Sequence, residues 1–245
     1  MKSLYNDKTK QYLLKFASKT YLGEEDFLVT ECNKLAYKAI KLWPYWSHFA
    51  LDIFGPRSCG KSHLTHIWVN CIQRSLPKPI EIPIIQAHSI NMKNVNRYIN
   101  NYNYLAIEDL SADINEEALF HLYNAYNTAE HFILFNSEQP LAKIPFKLPD
   151  LRSRLNTIPT AEIAMPDDEM LTALIAKLFN DRQIIISQEI LDYILKNAER
   201  SFNYISRLIE EIDDISWVYG RTVSIPIVRE AIKNLSKNQQ LDLFI

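Results

Sequence analysis

The first chemistry legible in this chain lies in eight residues, Gly55-Pro56-Arg57-Ser58-Cys59-Gly60-Lys61-Ser62, which fit the pattern GxxxxGK[ST]. Glycine there lets the backbone curl tightly, so that several N–H groups face one anion at a helix N-terminus. Lys61 is then placed to reach the outer phosphates of a nucleotide, and the Ser62 hydroxyl to bind Mg²⁺. The pattern needs a strand before it and a helix after it. Phe49 to Phe54 is a short, mostly apolar run ending at Gly55, and Leu64, Ile67, Trp68 and Cys71 recur at helical spacing behind it. Both conditions hold, and nucleotide binding is the expectation.

Other residues fit the same chemistry. A metal bound to nucleotide needs an acid at the end of a neighbouring strand, and Tyr104-Leu105-Ala106-Ile107 ends in Glu108-Asp109. Glu108 is the candidate on the metal side and Asp109 the candidate on the water side. The pair is reversed from the common Asp-Glu order, which points to weak hydrolysis by the chain itself, because side-chain length sets these distances. Asn136 follows the next strand, where a polar side chain would contact the γ-phosphate or its water; Ser137 and Glu138 are substitutes. Arg152 and Arg154 lie further on, where an arginine could approach a neighbouring molecule's nucleotide or be a solvated basic pair.

The elements that hold these residues read as strands alternating with helices. Helices are expected over about 29–42, 61–75 and 115–128, with one of about ten residues before Tyr104. Strands are expected at 49–54, 80–86, 104–107 and 132–135. That alternation predicts an α/β fold with a parallel sheet covered by helices on both faces. From about residue 167 the patterns are helical, with Thr222-Val223-Ser224 the one further strand candidate. Helix starts fall after Asp167, Ser187 and Ser201, and Pro226 suits the first turn of a last helix. The boundaries are an arm at 1–22, a nucleotide-binding α/β domain at 23–162, a small all-helical lid at 163–236 and a tail at 237–245.

The bulk properties exclude other classes. The chain has 245 residues, 47% hydrophobic and 23% charged, with a net charge of −2, so it offers no general attraction to DNA or to an anionic membrane. Direct sequence-specific DNA binding is not expected. The start is polar and no run is long enough to span a membrane, which predicts a cytoplasmic protein without membrane contact. The three cysteines, Cys32, Cys59 and Cys71, form no CxxC pair, so neither a disulfide framework nor a zinc site is expected.

The order of phosphate loop, Ile107-Glu108-Asp109-Leu110, Phe132 to Ser137, Asp150-Leu151-Arg152-Ser153-Arg154-Leu155 and helical lid resembles the AAA+ module of the bacterial replication initiator DnaA. The nearer resemblance is to the DnaA-related Hda-type regulatory inactivators, in their alphaproteobacterial form, and it covers about residues 11–235. Gly23 to Val29 resembles the family's entry to the base pocket, which makes Phe27 a nucleotide-binding candidate. Residues 166–170 and 177–183 resemble its lid. The resemblance implies a protein that binds ADP or ATP, associates with the DNA-loaded sliding clamp and promotes hydrolysis of ATP held by DnaA. It assigns the arginine acting in trans to Arg154. The lid position where the class places a sensor arginine holds Asn203, with Arg200 and Arg207 as candidate substitutes. On this reading no room remains after the lid for the helix-turn-helix domain that the initiator carries.

Two segments are similar to the short peptide by which bacterial proteins dock on the sliding clamp. Gln240-Leu241-Asp242-Leu243-Phe244 matches it closely, with Gln240 the hydrogen-bonding end and Leu241, Leu243 and Phe244 the apolar part. Gln11, Leu14 and Phe16 fit a looser version. Three readings follow: a clamp-bound regulator of DnaA, a helicase loader or autonomous ATPase related to DnaA, and an adaptor whose nucleotide is structural. The sequence leaves the oligomeric state open, a homodimer included.

Overall fold

The computed structural model of the chain describes residues 23–220 and 222–242. In chain order, α1 (Lys34–Lys41) precedes β1 (Ala50–Phe54), α2 (Lys61–Ser75), β2 (Ile84–Gln86) and α3 (Val95–Asn101). Next come β3 (Tyr104–Leu110), α4 (Glu116–Ala129), β4 (Phe132–Ser137), α5 (Pro149–Leu155) and β5 (Thr160–Glu162). The helices α6 (Asp168–Asp181), α7 (Gln188–Asn197), α8 (Phe202–Tyr219) and α9 (Ile225–Asp242) follow.

The strands form one parallel sheet in the order β2-β3-β4-β1-β5. After β1 the chain crosses to β2 on the far side of β3 and β4. A crevice opens at such a reversal, beyond the carboxyl ends of the strands. Successive residues of each strand point to opposite faces. Leu105, Ile107, Ile133 and Phe135 join one buried cluster under α4 and α5. Leu51, Ile53, Ala106 and Leu134 join a second with Leu64, Ile67 and Trp68 of α2. Both faces are covered, as the apolar strand runs require. A third cluster, including Leu171, Ile194, Ile209 and Val228, is the separate core of the helical lid.

Several boundaries differ from the sequence expectation. Strand β2 begins at Ile84 because Pro83 has no N–H to donate, although its carbonyl still accepts from Ala106. Helix α1 begins at Lys34, and the expected start at 29 is replaced by a turn in which the Asn33 side chain accepts from Thr30 N and donates to the Leu28 carbonyl. Helix α3 has seven residues where about ten were expected. Helix α5 and strand β5 were not expected, and residues 222–224 form no strand. The lid boundary at 236 is passed without a break, since α9 runs to Asp242.

Candidate functional site

Strand β1 ends at Phe54 and the chain turns at once into the loop leading to α2. Gly55 admits no side chain, since a Cβ there would lie 2.3 Å from the Ile163 carbonyl oxygen. Gly60, the N-cap of α2, has φ +104°, a region hostile to other residues. Both glycines of the motif are thus required by the backbone. Lys61 is only 8% exposed, and its Nζ donates to the carbonyls of Gly55 and Pro56, each at 2.7 Å. Its ammonium lies inside the curl of the loop, where phosphate oxygens could replace those carbonyls. Arg57 turns outward to pair with Glu138 beyond β4. Cys59 is buried, and burial pushes its thiol pKa up, so it packs rather than reacts.

Glu108 and Asp109 diverge at the end of β3. Glu108 is half-buried, accepting from Asn136 Nδ2 at 3.2 Å and from Gln86 Nε2 at 3.5 Å. Asp109 takes φ 55° and lines the open cleft. Asn136 is 2% exposed and also donates to Thr65 Oγ1 on α2 at 2.7 Å, while its Oδ1 is buried with no partner in the protein. The carboxamide therefore joins β4, β3 and α2 and keeps one acceptor unused. Among the described residues no group of three His, Cys, Asp or Glu side chains could hold a metal ion. A hydroxyl (Ser62) and a carboxylate (Glu108) are donor types that Mg²⁺ takes, since it uses few protein ligands and completes its shell with phosphate oxygens and water, but of the two only Ser62 lines the cleft.

A cleft of about 1550 Å³ lies between this loop and the lid. Phe27 lines it, stacked on Tyr37 (5.8 Å between centroids) and edge-on to His63 (5.0 Å). Its ring lies over Gly60, giving an apolar surface beside the phosphate loop. His63 Nε2 is 2.7 Å from the Gly23 carbonyl, and burial lowers the ring's pKa. Lys177 of α6 pairs with Asp26 at 2.7 Å, tying the lid to this aromatic segment. The Phe202 N–H, at the start of α8, donates to the Ser58 carbonyl at 3.3 Å, tying the lid to the loop as well. Asn203 and Arg207 line the cleft from α8. Arg200 pairs instead with Asp168 at 2.7 Å.

Arg154 lies elsewhere. Pro149 opens α5 at its first turn, and Arg152 and Arg154 are exposed on this helix. The Arg154 guanidinium carbon is 5.5 Å from the Phe120 ring centroid and 5.9 Å from that of Tyr123, both on α4. The Tyr123 and Thr157 hydroxyls donate to the Arg154 carbonyl, at 3.5 and 2.7 Å. Asp150 and Ser153 complete a concavity of about 480 Å³ around them. Arg154 is not among the residues that line the nucleotide-sized cleft of its own chain.

Thus the structure brings together Phe27, Arg57, Ser58, Gly60, Lys61, Ser62, Asp109 and Asn203 at one cleft, leaves Gly55, Pro56 and the buried Cys59 in the turn behind it, sets Glu108 and Asn136 against each other, and holds Arg154 apart. Thr65, Gln86 and the Lys177–Asp26 pair were missed, because an isolated polar residue carries no signal of its distant partner. Of the clamp-motif residues, Gln11, Leu14, Phe16, Leu243 and Phe244 lie outside the described residues. Gln240 and Leu241 fall in the last turn of α9.

A strand, phosphate loop and helix, an acid at the end of the neighbouring strand, and a helical lid over the cleft define a P-loop module of the AAA+ type. Comparison with known proteins carries this further. Residues 167–232 match the family model described as Hda, lid domain. Over 236 residues the chain is 26% identical to the chromosomal replication initiator protein DnaA of Aliarcobacter butzleri, a match covering 89% of this chain and 54% of that protein. The chain thus spans about half the length of this curated relative. Domain III of the Thermotoga maritima replication initiation protein DnaA superposes with a TM-score of 0.75 at 20% identity, over 86% of this chain and 95% of that one. AMPPCP-bound DnaA from Aquifex aeolicus gives 0.66 at 19% identity, over 91% and 72%. The fold is that of DnaA domain III, and residues 167–232 match the Hda-type lid. Among the described residues no helix is long and apolar enough to cross a membrane.

Proposed function

We propose that this protein binds ADP or ATP with Mg²⁺ in the cleft, docks on the DNA polymerase sliding clamp and stimulates hydrolysis of ATP held by DnaA, thereby inactivating the initiator. The observation that carries this reading is Arg154. It is exposed, held against two aromatic faces and outside the cleft of its own chain. An arginine so held can serve a nucleotide on another molecule. A guanidinium supplied in trans stabilises the charge of the phosphoryl-transfer transition state by orders of magnitude in rate. The chain's own turnover is slow on this reading, with Glu108 engaged by Asn136 and Gln86. A helicase loader or an autonomous ATPase would instead hydrolyse ATP without DnaA and the clamp.

The test is hydrolysis of DnaA-bound ATP with clamp-loaded DNA, comparing wild type with Arg154→Ala. Stimulation by wild type and its loss by a factor of at least about 100 in the variant are expected. Equal stimulation by both proteins would remove Arg154 from the reaction. Fast hydrolysis by the chain alone would favour the autonomous ATPase.

A further inference from the structure

Tyr123 meets Arg154 at both ends of the arginine. Its ring centroid lies 5.9 Å from the guanidinium carbon, and its hydroxyl donates to the Arg154 backbone carbonyl at 3.5 Å. Phe120, three residues earlier on α4, sets a second ring at 5.5 Å. The two rings are exposed to different extents. Phe120 is half-buried, whereas Tyr123 is only 3% exposed and has little surface with which to meet another molecule. What Tyr123 can act on is Arg154.

Its hydroxyl is placed by hydrogen bonds that run in one direction. The Ala50 N–H, at the start of β1, donates to His48 Nδ1 at 3.0 Å, so that nitrogen carries no proton and Nε2 does. Burial lowers the His48 pKa, which favours this neutral ring. Nε2 then donates to the Tyr123 oxygen at 3.3 Å. The Tyr123 proton is left for the Arg154 carbonyl and for Thr157 Oγ1, each at 3.5 Å, and Thr157 gives its own proton to the same carbonyl at 2.7 Å. Arg154 sits in the last turn of a seven-residue helix, where carbonyls lack partners within the helix. The chain from β1 supplies those partners, and the Tyr123 ring holds the far end of the same side chain.

We infer that Tyr123 is a positioning residue for Arg154, fixing its backbone through the hydroxyl and its guanidinium through the ring, so that the arginine is held ready for a nucleotide on another molecule. The inference rests on the proposed action of Arg154 in trans. A long exposed side chain gives up many rotamers when it meets a phosphate. One that is already held gives up fewer, and more of its interaction reaches the transition state. The effect of Tyr123 therefore falls on the rate within the complex and not on the formation of the complex.

The test is hydrolysis of DnaA-bound ATP on clamp-loaded DNA with wild type, Tyr123→Phe, Tyr123→Leu and Arg154→Ala, each titrated to give a maximal rate and a half-maximal concentration. Clamp binding, ADP binding and thermal unfolding are measured on the same proteins. Tyr123→Phe keeps the ring and removes the hydroxyl, and its maximal rate should fall about threefold. Tyr123→Leu removes both, and its maximal rate should fall about tenfold. The half-maximal concentration and the clamp and ADP affinities should stay within about twofold of wild type, which a general loss of structure would not allow. If Tyr123→Leu keeps the wild-type maximal rate, or loses it only together with clamp or ADP affinity, the inference is overturned while Arg154→Ala still reports on the arginine. Should Tyr123→Leu fail to fold, Tyr123→Phe decides by the same criteria. If Arg154→Ala stimulates as well as wild type, or wild type does not stimulate at all, the proposed function falls and this inference with it.

Discussion

At the scale of single residues, Asp52 departs far from its behaviour in water. It is fully buried on β1, two residues before the phosphate loop begins to turn. The Ser137 hydroxyl lies 3.0 Å from its Oδ1 and 2.8 Å from the Gln139 carbonyl. One hydroxyl proton cannot serve both acceptors well. If Asp52 is protonated, it donates to Ser137, which in turn donates to Gln139. Burial pushes its pKa up to about 7, against hydrogen bonds from Ser137 and the Leu141 N–H and the charge of Lys61. The folded value lies above the unfolded one, near 3.8, so between these values the folded state holds a proton that the unfolded state has lost. Stability from this group is therefore present at low pH, falls as pH rises through about 7, and levels off beyond. Asp52→Asn should flatten that slope. Urea unfolding at pH 5 and pH 8 should show wild type losing about 3 kcal/mol more than the variant over this interval. Equal losses would mean that Asp52 is ionised throughout.

At the scale of elements, α8 carries Asn203 and Arg207, two of the lid residues that line the cleft, and its first turn is held by local chemistry. Ser201 Oγ accepts from Tyr204 N at 3.2 Å. Ser201→Ala leaves that N–H without its cap and should cost about 1 kcal/mol, read as a lower urea midpoint with an unchanged slope. An unchanged midpoint would mean that another group caps α8. The same chemistry explains what the sequence made legible. Asp167, Ser187 and Ser201 each accept from the N–H three residues on, as their types and spacing suggested. Such signals are local. Strand β5 has three residues and exists through its ladder to β1, more than a hundred residues away in the chain, so nothing within it announces a strand. Helix α5, which presents Arg154, has only seven residues and is too short to show a period. The phosphate loop was legible because its glycines answer to the backbone itself. The partners of Asn136 and Lys177 come from distant segments and were not.

At the scale of the whole molecule, a trans-acting arginine is useful only when the protein is brought to its target, and the two clamp-like peptides would supply that. They lie near opposite ends of the sequence. The last helix continues through Asp242, so the segment holding Gln240 and Leu241 is helical, whereas groove-binding peptides of this kind bind extended. Docking by the C-terminal peptide would therefore require the final turn of α9 to open, a small cost because helix ends fray. If both peptides engage one clamp, the second binding event is intramolecular and the affinities reinforce each other. The expected result with purified sliding clamp is binding by the intact chain and at least about tenfold weaker binding after deletion of 240–245, a loss of roughly 1.4 kcal/mol. The double change Gln11→Ala with Leu14→Ala reads the other peptide in the same assay, and a loss from either lesion identifies the working contact. If the intact chain does not bind the clamp, the cleft and its nucleotide are untouched, but Arg154 loses its means of reaching DnaA, and a helicase loader or an adaptor with a structural nucleotide becomes the better account of this fold.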